Sequence, residues 1–155
     1  MLNITFPKWL KIPLVIAGWG TVLATLTVGT IFQGFLLPTT GGGLLPEVYN
    51  AGPLVLWIYY LGCLGASALA AMTIAEPGPA IVGFFASYGF SGFLTFLVLA
   101  LPELTGVVQT NGILQELAIL HTFQAIFPIA LFVDLAGTVL GLALAERLLY
   151  FTGAS

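Results

Sequence analysis

Charge is scarce in this chain: its 155 residues include three Lys or Arg and six Asp or Glu, about a quarter of the share usual in soluble domains. Three cations cannot neutralise a phosphate track, so nucleic-acid binding is excluded. One cysteine forms neither an internal disulfide nor a CxxC redox pair, and one histidine excludes a bis-histidine haem within the chain. HExxH, paired intramembrane aspartates and a readable Ser-His-Asp set are absent, and Gly41-Gly42-Gly43 is followed by no GK[ST], so it is not a phosphate loop. What is abundant is apolar: hydrophobic residues make up 59% and the mean hydropathy is +1.12. Disorder requires low hydrophobicity and high charge, the reverse of this composition. An integral membrane protein remains.

A helix needs about 20 apolar residues to cross roughly 30 Å of hydrocarbon. Residues 13–37, 54–75 and 80–101 are uncharged runs of that kind. A fourth apolar block from Ile113 to about Phe151 contains Glu116, His121, Asp134, Glu146 and Arg147. The runs lack the alternation of a membrane barrel strand. The expected fold is therefore all-α, a single transmembrane domain over 1–155. It is a four-helix bundle with spans at about 13–37, 54–75, 80–101 and 117–150, the last kinked at Pro128. An interfacial segment at 113–127 followed by a span at 129–150 is the competing reading of that block. Gly and Pro mark the connections: Pro38 to Pro53 forms a long loop, Pro77-Gly78-Pro79 a tight turn joining spans two and three as a hairpin, and Pro102 to Gly112 the last connection. The first apolar run exceeds a signal-peptide h-region and has no clear A-x-A site, so it reads as a span preceded by an interfacial lead-in over 1–11.

Lys8 and Lys11 precede the first span and Arg147 ends the last, which places both termini on the cytoplasmic or equivalent side. Trp9, Trp57, Tyr59, Tyr60 and Tyr150 fall where interfacial anchors belong.

Membrane helices associate through small residues, and each span carries such a stripe at four-residue spacing. These are Ala17-Thr21-Thr25-Gly29, Gly62-Ala66-Ala70, Ser87-Ser91-Thr95 and Gly137-Gly141-Ala145. Gly62, Ala66, Gly137 and Gly141 are the expected packing positions. The remaining faces are large, with Phe84, Phe85, Phe90, Phe93 and Phe96 in span three alone.

Two residues carry candidate chemistry. His121, with Gln124 one turn on, could supply an axial bond to haem iron or chlorophyll magnesium, the one metal-ligating position expected here. Its bland alternative is a neutral imidazole hydrogen-bonded near the interface. Asp134 sits among apolar neighbours, where a mid-helix charge costs on the order of 3 kcal/mol. With Thr138 one turn away it is either a proton or cation site or an interhelical hydrogen-bond acceptor. Glu146 and Arg147 read as a local interfacial pair, Glu47, Glu76, Glu103 and Glu116 as solvated loop charges, and Cys63 as a small packing residue.

The leading functional expectation is a non-catalytic accessory subunit of a larger integral membrane complex, such as a respiratory or photosynthetic electron-transfer assembly. Its partners would be other membrane subunits and lipid, with a tetrapyrrole, quinone or lipid held at an interface. The alternative is a small oligomeric channel or carrier using Asp134, with Ser87, Ser91 and Thr95 along its path.

Overall fold

In the computed structural model, residues 8–34 and 53–152 are described, and among them every regular element is a helix. The elements are α1 (Lys8–Phe32), α2 (Pro53–Ile74), α3 (Pro77–Leu104), α4 (Ile113–Ile126) and α5 (Ile129–Thr152). Four of them, α1, α2, α3 and α5, are long and apolar enough to cross a bilayer, so the chain is a multi-pass membrane protein. The expected loop over residues 38–52 and the lead-in before Lys8 lie outside the described residues.

Proline placement explains the start of α3 but not its end. Pro77-Gly78-Pro79 does not form the expected turn; it opens α3. The first amides of a helix have no intrahelical acceptor, so proline there forfeits nothing and its ring pre-sets φ. The turn itself is Ala75-Glu76, with Ala75 left-handed at φ 62° and its amide bonded to the Ala71 carbonyl. Pro102 lies inside α3, which runs on to Leu104 rather than stopping at the proline.

The fourth apolar block departs from a single kinked helix. Phe127-Pro128 separates α4 from α5 outright, and α4 ends with the Phe127 amide on the Phe123 carbonyl. At 1.5 Å per residue the 14 residues of α4 cover about 21 Å, too short to cross the membrane. The fourth crossing is α5 alone, with Ile129–Tyr150 as its apolar stretch.

Neighbours in sequence are not the closest neighbours in space. Gly137 meets Leu64 and Ser67 while Gly141 meets Ala68, so residue numbers rise together and α2 and α5 run parallel. Gly83 meets Ile16 and Gly20 meets Ser87, so α1 and α3 also run parallel. Trp19 faces Ser67 and Thr27 faces Tyr59, which makes α1 and α2 antiparallel. The bundle thus consists of two tight parallel pairs laid antiparallel to each other. The hairpin α2–α3 is joined by two residues, yet each of its arms packs most extensively on a helix from elsewhere in the chain.

The close approaches occur where side chains vanish. A Cβ on Gly137 would stand 2.5 Å from the Leu64 carbonyl oxygen, and one on Gly141 would be driven into that of Ala68. A Cβ on Gly20 would stand 2.8 Å from the Ser87 carbonyl oxygen. Backbones this close gain dispersion contacts that lipid cannot supply. The apolar core between the pairs contains Trp19, Leu23, Tyr59, Ala71 and Phe84.

Candidate functional site

A polar seam runs through the centre of the bundle. On α2, Tyr59, Cys63 and Ser67 follow one another at four-residue spacing and are all buried, so one helix face carries the column inward. At its upper step the Tyr59 hydroxyl and Thr27 Oγ1 of α1 lie 3.0 Å apart, and Thr27 also donates to the Leu23 carbonyl. At its lower step Trp19 Nε1 donates to Ser67 Oγ over 3.1 Å, and Ser67 Oγ donates to Asp134 Oδ1 over 2.9 Å. One relay therefore ties α1, α2 and α5.

Asp134 is 2% exposed. It lies in the second turn of α5, yet its partner's partner, Trp19, stands midway along α1. The carboxylate therefore sits near the middle of the bundle. Thr138 Oγ1 donates to the Asp134 backbone carbonyl and not to its carboxylate. The two residues expected to share a site thus do so only through the main chain. Ser67 supplies the direct hydrogen bond, and nothing in its immediate sequence distinguishes it.

The other expected positions fall as follows. Gly62 faces Leu26 of α1 at ordinary van der Waals distance. Ala66 is half-buried against the core. Ser87, Ser91 and Thr95 are buried on the inner face of α3. The stripe Ala17-Thr21-Thr25-Gly29 points away from the bundle: its first three residues are exposed, and α1 instead buries Trp19, Leu23, Ala24 and Thr27. Tyr59, expected as an interfacial anchor, is 4% exposed and belongs to the seam. Trp57 and Tyr150 are exposed on the outer surface.

His121 lies on α4, half-buried, with Gln124 buried on the next turn. The position of α4 is set at both ends. Glu103 near the end of α3 accepts from the amides of Gly112 and Gln115 at the α4 N-terminus, where a carboxylate complements the free N–H groups. At the other end the Tyr88 hydroxyl donates to the Ile126 carbonyl. Helix α4 therefore runs back antiparallel along the second half of α3. The connection between them takes left-handed backbone at Gly106, Asn111 and Gly112. Between α3 and α4 lies an open groove of about 310 Å³ whose wall includes Thr122, the residue after His121. Among the described residues no three His, Cys, Asp or Glu side chains converge as a metal site.

Compared with known protein families, with curated proteins and with solved structures, the chain matches none.

Proposed function

We propose that this chain is a non-catalytic subunit of a larger integral membrane assembly. The observation that carries the reading is the outward stripe of α1. Small residues are what allow another helix to approach closely in lipid, and α1 spends this face on no helix of its own bundle. Thr21, Thr25 and Gly29 form, with Leu94 and Val98 of α3, a shallow trough of about 330 Å³. The hydroxyls of Thr21 and Thr25 bond to the carbonyls of Ala17 and Thr21, so the face makes no polar demand on its occupant. A transmembrane helix of another subunit fits it by shape alone.

An electron- or proton-handling complex is the class of assembly proposed, because the one imidazole stands on α4 at the rim of the bundle. There a neighbouring subunit can complete a pocket around a tetrapyrrole. Both termini are placed on the cytoplasmic or equivalent side by Lys8, Lys11 and Arg147. The buried relay Trp19–Ser67–Asp134 favours a packing role for Asp134 over ion transport.

The test is extraction in mild detergent from the native membrane, followed by native mass and an absorption spectrum. The expected result is a complex several times the mass of the 155-residue chain. Thr25→Leu, which fills the trough from an exposed position, releases the chain from that complex while its own melting is retained. A chain that migrates alone or as a homo-oligomer overturns the proposal. A band that His121→Ala bleaches supports the tetrapyrrole, and an unchanged spectrum removes it.

A further inference from the structure

Among the described residues, two threonines on the helices that bound the α3–α4 groove behave unlike the others in the apolar helices, and one of them, Thr122, lies in the groove wall. A threonine in an apolar helix ordinarily turns its hydroxyl back to the carbonyl four residues earlier, because lipid offers no other partner. Thr21, Thr25, Thr27, Thr30, Thr73 and Thr138 all do so. Thr95 on α3 and Thr122 on α4 do not: both are buried, 0% and 6% exposed, and neither hydroxyl oxygen has a hydrogen-bond partner. An unmet hydroxyl away from water costs about 1–3 kcal/mol. Both exceptions belong to the two helices that bound the groove.

The groove is apolar and uncharged, with aromatic rings along its wall, and so suits a neutral, apolar molecule. Its wall includes Tyr88, Phe93, Phe96, Thr122 and Phe123, with Gly89 as an open stretch of floor where an added Cβ would meet nothing within 4 Å. Phe93 and Phe123 are about half exposed, so the groove opens sideways to lipid rather than into the bundle. The Tyr88 hydroxyl is already committed to the Ile126 carbonyl, which leaves Thr122 as the polar group in the wall. No Lys, Arg, Asp or Glu lines it, so the charged head of a phospholipid finds no counterion there. Rotation about χ1 carries Oγ1 to another staggered position without moving the helix, which is how the hydroxyl would reach an occupant of the groove.

We infer that the α3–α4 groove binds a prenylated quinone from the membrane, a quinone carbonyl accepting from Thr122 Oγ1 and the ring lying among Phe93, Phe96 and Phe123. The tail continues into lipid through the open side. This inference is independent of the subunit proposal, since it concerns the isolated chain and a different face.

The test uses the full chain in phosphatidylcholine nanodiscs and a decyl-benzoquinone bearing an aryl azide, with crosslinks mapped by peptide mass spectrometry. Saturable labelling is expected within residues 88–96 and 119–126. Thr122→Val, nearly isosteric, weakens it about five- to tenfold, the loss of one hydrogen bond. Gly89→Leu fills the floor and abolishes labelling, with the melting temperature retained in both variants. Should Gly89→Leu fail to fold, Thr122→Val decides alone. Non-saturable labelling, equal labelling by an azido-decylbenzene without carbonyls, or wild-type labelling of Thr122→Val overturns the inference.

Discussion

The seam between α1, α2 and α5 and the groove between α3 and α4 solve the same problem in opposite ways. Both place hydroxyls where no water reaches. In the seam hydrogen bonds cross the helix boundaries: Trp19 to Ser67, Ser67 to Asp134, and between Thr27 and Tyr59. On the two helices that bound the groove, Thr95 and Thr122 are left unmet, and at Thr122 the helices stand apart as an open cleft. Glycine marks the same contrast. Gly137 and Gly141 admit no side chain because a neighbouring backbone occupies the space, whereas Gly89 faces open volume. Polar burial fastens helices where it is reciprocated, and leaves room for something else where it is not.

Substitutions can break that contrast, and the largest effect belongs to the tight side. Gly141→Leu forces a side chain into the Ala68 carbonyl and should cost about 3 kcal/mol or more in a detergent-denaturation titration. Gly89→Ala should leave the midpoint unchanged or raise it by up to about 1 kcal/mol, from helix propensity alone. Next in size is the hydroxyl pair. Ser67→Ala strips the buried carboxylate of its donor and should cost about 1–3 kcal/mol in the same titration, while Thr95→Val removes a hydroxyl that bonds to nothing and should cost nothing. Tyr59→Phe deletes one bond to Thr27, and the loss should be near 0.6 kcal/mol, about the average for hydrogen bonds between membrane helices. Smallest is Glu103→Gln, which removes one of the two carboxylate acceptors that cap α4. It is best read as faster hydrogen exchange at Gly112 and Gln115 with global melting unmoved. A Thr95→Val variant that melts as low as Ser67→Ala would erase the distinction between met and unmet hydroxyls.

The parts of this arrangement legible in the sequence are those encoded within one helix. Uncharged length announces the spans, and four-residue spacing announces Gly137-Gly141 and the buried Ser87-Ser91-Thr95 column. The parts that were not legible depend on which helix meets which. Two stripes on α1 compete: Ala17-Thr21-Thr25-Gly29 has the smaller residues, but Trp19, Leu23 and Thr27 face inward because Ser67 and Tyr59 wait there. Periodicity finds a face and is silent on its partner. Ser67 escaped notice for the same reason, since a serine in a run of alanines gains meaning only from a carboxylate 67 residues away. Yet a trace was present: Tyr59, Cys63 and Ser67, at helical spacing, are the polar column of span two. At Pro128 the sequence permits either a kink or a break. The anchorage of α4 on α3 through Glu103 and Tyr88 accompanies the break.

The parallel pairing of α2 with α5 has a consequence for assembly during synthesis. The ribosome delivers α1, α2 and α3 first, so α1 and α3 can marry early, and Trp19 can already hold Ser67 before the last helix exists. When α5 arrives its carboxylate enters hydrocarbon beside a prepared donor, Ser67, instead of bare lipid. Truncation before α5 should therefore leave Leu64, Ser67 and Ala68 of α2 uncovered, with the hydroxyl of Ser67 lacking its carboxylate.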